Sequence, residues 1–247
     1  RWRADCGCNT GRKGWHQQWR GPLRTALDKL REQLETIFLE QTVPYFDDPW
    51  AVRDAFIEVV LNRSDDDARR FLESHAGKTL THLEQIRLLR SLEMQRQAMQ
   101  MYTSCGWFFD EISGIETVQI LQYALRAIHF AKQISGRDLQ RSFLESLEQA
   151  PSNVLRDGAE VFRQKVLPSF VDLERVGMHI AASSLFAEYP REIALFNYRA
   201  DNYSFERIRA GIFSLVFGQS IVRSKITLSE KPFSFVVLHL GQQQMIG

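Results

Sequence analysis

The chain has 247 residues, 44% hydrophobic and 25% charged, enough to bury a sizeable core. Its 31 basic and 30 acidic residues leave a net charge of +1, which excludes a broad basic field for nucleic acid or anionic lipid. No apolar run nears the roughly 20 residues of a bilayer span, no signal-peptide pattern opens the chain, and three cysteines make no extracellular disulfide framework. A cytoplasmic protein with no nucleic-acid or membrane partner is expected.

Residues 1–20 form a segment rich in Cys and Trp, expected to pack on the helices that follow. It opens without Met, and the strand-like Phe233–Leu240 falls close to the other end, where an exposed strand edge needs a partner or a cover. A segment excised from a larger protein is expected, with its β region cut short.

From Gly21 the pattern turns helical. Leu23, Leu27, Leu30, Leu34, Ile37 and Phe38 make an apolar stripe at three-and-four spacing. Asp48-Pro49 opens the next segment, carried by Val52, Phe56, Val59 and Val60. Ser64 and the three acids after it mark a helix entry that Gly77 closes. A long helix follows from Thr79 to about Gln100, in which Met94, Met99 and neighbouring Met101 read as core filler. Ile115–Ile134 is helical up to Gly136, and 137–148 gives a shorter helix that Pro151-Ser-Asn153 breaks. Residues 156–187 are helical in two parts around Pro168.

The period then changes from 3.6 to 2. Segments 193–198, 211–217, 220–227 and 233–240 have strand length and β-branched or aromatic content. The expected fold is mainly α: a multi-helix bundle over 21–188, then the start of an antiparallel β region over 189–247, α+β overall.

Three constellations could carry chemistry. Cys6-Gly-Cys8 with His16 and distant Cys105 offers thiolate and imidazole donors, but structural zinc sites use a second cysteine pair that this chain lacks. No metal or cofactor is assigned, and small thiols in a tight glycine turn are the plainer reading. Trp2, Trp15, His16 and Trp19 form a second group; Trp15 and Trp19 lie one helical turn apart and could stack a sugar or fill the core. The third is Tyr102–Gly114, which sets Trp107-Phe-Phe109 beside Asp110 and Glu111, with Gly106 permitting close backbone approach. Three consecutive aromatics cannot share one buried face, so at least one must point elsewhere. The acids could hold sugar hydroxyls or cap the helix that begins near Gly114. Both motif regions are too rich in Gly, Cys and Trp for solvated loops, so they are expected to meet in space, with Cys6 or Cys8 near Cys105.

Three stretches carry a resemblance: Trp2-Arg-Ala-Asp-Cys-Gly-Cys-Asn-Thr-Gly11, Gly14-Trp-His-Gln-Gln-Trp-Arg20 and Thr103-Ser-Cys-Gly-Trp-Phe-Phe-Asp-Glu-Ile-Ser-Gly114. They resemble the domain of unknown function 3536, found after the catalytic barrel of glycoside hydrolase family 57-like proteins. The resemblance implies a helical bundle packed against an incomplete α/β barrel, with a β-rich region after it. It also implies that the nucleophilic Glu and acid Asp sit on that barrel, none of which this chain contains. An aromatic motif of that family's helical region reaches the cleft. Ser104-Cys-Gly-Trp107 is loosely similar to it, with Cys105-Gly106 where the acid would stand.

The expectation is therefore an accessory domain of an α-glucan-acting hydrolase or transferase, without turnover alone. It would complete the active-site wall beside the barrel of the same polypeptide and bind an α-glucan or oligosaccharide. Asp5, Trp15, His16, Trp107, Asp110 and Glu111 are the expected substrate contacts, and no catalytic residue is assigned. The alternative is a non-enzymatic structural or protein-interaction helical module.

Overall fold

A computed structural model describes residues 3–8, 11–242 and 244–247. The chain is an α+β protein in which helices come first and an antiparallel sheet follows. It divides into two compact units. One runs to Leu61 and from Arg69 to Phe170; the other takes Asn62–Ala68 and Val171–Gly247.

The first unit is built on α1 (Arg20–Thr42), whose predicted stripe is buried in full. Two short helices follow, α2 (Pro49–Ala55) and α3 (Ile57–Leu61). Asp48 starts α2 by accepting from the Trp50 and Ala51 amides, with Pro49 at the first position, where its missing N–H costs nothing. The next helix is α4 (Asp65–His75), with three acids in its first turn.

Helix α5 (His82–Gln100) opens with a capping box: Glu84 N donates to Thr81 Oγ1, and Thr81 N donates to Glu84 Oε2. Met94 and Met101 are buried as expected, whereas Met99 faces out. Helix α6 (Ile115–Ser135) ends at Gly136 in the left-handed region, φ 75°, where a side chain would be strained. Helix α7 (Gln140–Leu147) precedes a short α8 (Gly158–Val161), a π turn over Phe162–Val166 and a 3-10 turn over Leu167–Ser169. Pro168 sits in that last turn, consistent with its missing donor.

α1 packs on α5, α6 and α7. Ala26, Ala98, Ala124, Ala127 and Ala131 are all buried among these helices, and such small side chains permit close helix approach. Leu23, Leu30, Leu88, Leu92, Leu121 and Phe162 supply the bulk of the core.

The second unit packs α9 (Leu173–Ser183) on an antiparallel sheet ordered β1-β2-β3-β4-β5. The strands are β1 (Glu192–Leu195), β2 (Tyr198–Ala210), β3 (Phe213–Ser224), β4 (Glu230–His239) and β5 (Met245–Ile246). Val176 and Ile180 of α9 meet Ile193, Ala200 and Val222, and Ala181 and Leu185 meet Val216 and Val237. One helix thus covers one face of the sheet, and packing joins α9 to the strands although its period belongs with the helices before it.

Two strand expectations differ from the structure. Residues 199–210 continue β2, although Arg, Asn, Ser and Glu dominate them and no apolar alternation marks them. They pair along their length with β3, and beyond Asn202 most of their side chains are exposed, so backbone hydrogen bonding holds that part. Segments 211–217 and 220–227 are one strand, β3, uninterrupted at Gly218. The register shifts between Asn202 and Ser204, and a Cβ on Gly218 would lie 2.3 Å from the Ser204 carbonyl oxygen. Glycine there accommodates a bulge in the neighbouring strand.

Candidate functional site

The Thr103–Gly114 junction is held on three sides. After α5 it makes a 3-10 turn over Ser104–Trp107 and lies directly on α6. A Cβ on Gly106 would sit 2.5 Å from Ile120 Cγ2, and Thr117 Oγ1 donates to the Gly106 carbonyl at 2.7 Å. Glycine is required here because the backbone touches a helix.

The three aromatics diverge, as the helical geometry of the turn requires. Trp107 is 4% exposed, whereas Phe108 and Phe109 are 54% and 41% exposed. The Trp107 ring stacks on Trp19 with centroids 6.1 Å apart and planes inclined 24°. Phe108 and Phe109 pack edge to face at 5.0 Å and form an apolar ridge on the surface.

Directly behind that ridge lies Arg20, the first residue of α1, with 0% exposure. Its Nη2 donates to the Phe108 carbonyl at 2.8 Å and to the Phe109 carbonyl at 3.5 Å. Its Nη1 donates to Gln17 Oε1 at 2.5 Å and to Cys6 Sγ at 3.4 Å. Gln17 passes the network on, its Nε2 donating to Asp110 Oδ1 at 2.6 Å. A buried guanidinium is costly unless its donors are satisfied. Arg20 Nε has no hydrogen-bond partner among the described residues.

Asp110 and Glu111 are both buried and both serve the fold. The Asp110 carbonyl accepts from Trp19 Nε1 at 2.8 Å and from Asn153 Nδ2 at 2.9 Å. Glu111 Oε1 accepts from Ser152 Oγ and from the Ser113 amide, and its Oε2 accepts from the Asn153 amide at 2.6 Å. Glu111 thus ties the junction to the 151–154 loop.

The other expected site residues lie in the N-terminal segment. Trp15 is half-buried, with the Arg12 guanidinium 4.3 Å from its ring centroid. The His16 backbone is clasped by the Asn153 amide, which accepts from His16 N at 3.1 Å and donates to His16 O at 2.9 Å. The imidazole Nδ1 of His16 is buried with no partner among the described residues. Asp5 is exposed, and its Oδ1 accepts from the Gly7 amide at 2.9 Å. Trp2 lies outside the described residues.

The N-terminal segment and the aromatic junction therefore meet, through Gln17, Trp19 and Arg20. The three cysteines are thiols rather than disulfides, and Cys8 and Cys105 are exposed. Hydrogen bonds from the Cys8 backbone and the Cys8 thiol hold the Cys6 thiol below its ordinary range; burial opposes them, and Arg20 adds a lowering effect smaller than that of burial. Among the described residues no group of three His, Cys, Asp or Glu could hold a metal ion.

Arg20, Gln17, Ser152 and Asn153 were not singled out from the sequence. Arg20 carries one signal, a charged residue where an apolar stripe begins. Pro151-Ser-Asn153 reads only as a helix breaker until it is seen to donate to Glu111.

The chain is thus an α+β protein whose helical unit carries an aromatic-tipped junction held by buried polar side chains. The chain belongs to the family described as Domain of unknown function (DUF3536), which matches residues 15–247. No curated protein and no solved structure shows significant similarity to it. Among the described residues no helix is long and apolar enough to cross a membrane.

Proposed function

We propose that the chain is a non-catalytic accessory domain of a glycoside hydrolase family 57-like, α-glucan-acting hydrolase or transferase in the cytoplasm. The Phe108/Phe109 ridge is the surface that completes the wall of the cleft beside a catalytic barrel in the same polypeptide. The observation that carries this is the contrast at the junction: two neighbouring phenylalanines face solvent while Arg20 clamps their carbonyls from a fully buried position. A pre-organised apolar surface of this kind suits recognition, because little ordering is left to occur on binding. The resemblance of the three motifs to a domain that follows glycoside hydrolase family 57-like barrels supports the glucan assignment.

The ridge takes the place of Trp107, Asp110 and Glu111 as the contact surface. Trp107 is in the core and the Glu111 oxygens already accept from Ser113, Ser152 and Asn153. A retaining glycosidase needs two carboxylates about 5 Å apart facing one bond, a task that neighbouring buried acids engaged in the fold do not suit.

In the full-length parent, replacing Phe108 and Phe109 together by Ser should raise KM for maltooligosaccharides or lower kcat by about tenfold. The melting temperature should stay within about 3 °C, since exposed residues contribute little to stability. Unchanged kinetics would overturn the proposal. The same internal use of the Glu111 carboxylate favours a second reading, a protein-interaction module, because it leaves few polar groups for sugar hydroxyls. On that reading the double substitution leaves turnover intact and abolishes association with another protein.

A further inference from the structure

Cys6 and Cys8 flank Gly7, which sits in the left-handed region at φ 71° with its amide held by the Asp5 carboxylate. Residues two apart span at most about 7 Å, and this turn shortens the span toward the roughly 4.4–6.8 Å that a disulfide accepts. The Cys6 thiol donates to Gln17 Oε1 at 3.1 Å and accepts from Arg20 Nη1 at 3.4 Å, while the Cys8 backbone and thiol both hydrogen-bond to it. Cys8 is exposed and Cys6 is partly so. One sulfur is thus placed against a cation and the other stands beside it, open to solvent.

We propose that Cys6 and Cys8 form a thiol–disulfide exchange site that takes low-molecular-weight disulfides such as oxidised glutathione. Cys6 attacks as the thiolate, forming a bond to one sulfur of the small disulfide and expelling the other as a thiolate. Cys8 then attacks Cys6 Sγ, closing the Cys6–Cys8 bond and expelling the second small thiolate. The protein dithiol is oxidised by two electrons and the small disulfide is reduced to two thiols. The protons lost by Cys6 and Cys8 pass through solvent to those two leaving groups. Arg20 supports the first step by stabilising the attacking thiolate, and the exposed Cys8 acts as resolving thiol. Excess small dithiol reverses the reaction. This site stands apart from the accessory-domain reading and does not depend on it.

The test uses the whole chain with Cys105→Ser, which removes the other exposed thiol, treated with oxidised glutathione and followed by thiol titration and intact mass. The expected result is loss of both thiols with a mass decrease of two hydrogens and no glutathione retained. Adding Cys8→Ser should trap one glutathione on Cys6. Capture there should be at least about tenfold faster than on Cys8 in the Cys6→Ser protein, as a greater thiolate fraction requires. Retention of glutathione on the unaltered pair without ring closure, or equal rates at the two positions, would overturn the proposal.

Discussion

Trp107→Ala separates a core residue from a ligand contact. A tryptophan buries up to about 250 Å², which at about 25 cal/mol per Å² gives roughly 6 kcal/mol as an upper bound. Large-to-small substitutions of buried aromatics cost about 3–5 kcal/mol. Trp107 is 4% exposed and stacks on Trp19, so this range applies to it. For a domain of this size each kcal/mol lowers the melting temperature by about 2–4 °C, giving a fall of roughly 6–20 °C. Phe108→Ala, at a position 54% exposed, should move it by less than about 3 °C. Differential scanning calorimetry of the two variants beside the unaltered chain makes the measurement. A Trp107→Ala protein melting within 3 °C of the unaltered chain, or a Phe108→Ala protein falling as far, would refute the assignment of Trp107 to the core.

Two further outcomes follow from local geometry. Phe196 stands at the tip of the β1–β2 hairpin with φ 50° and 95% exposure, so its backbone is strained and its side chain returns nothing by burial. Phe196→Asn should stabilise the chain by about 0.5–1 kcal/mol, since Asn tolerates this region better; a lower urea midpoint would contradict it. Glu84 accepts from the Thr81 amide and hydroxyl and from Tyr45, which hold its carboxyl near pH 2, below the ordinary 4.5. Because folding lowers this pKa, its contribution is complete above about pH 4.5 and fades as pH falls through about 2. An NMR titration should show that value, and Thr81→Ala should move it up; no movement would remove the capping box as the cause.

Periodicity alone determined most of the helical part. The α1 stripe, the Gly136 stop and the change to strands near residue 190 are encoded by spacing and by residues with special backbone preferences. The sequence also required that Trp107, Phe108 and Phe109 diverge, because consecutive side chains on a turn do not share a face. It could not say which of them turns inward. That was decided by Trp19, whose ring meets Trp107, and by Arg20, which fixes the carbonyls of the outward pair. Asp110 and Glu111 were visible as acids, but their role depended on Gln17, some 93 positions earlier, and on Ser152 and Asn153, about 40 later. The strand over 199–210 escaped because pairing with β3 holds it while most of its side chains are exposed. Local preference is written in neighbouring residues; the partner of a buried polar group is chosen by the chain's path through space.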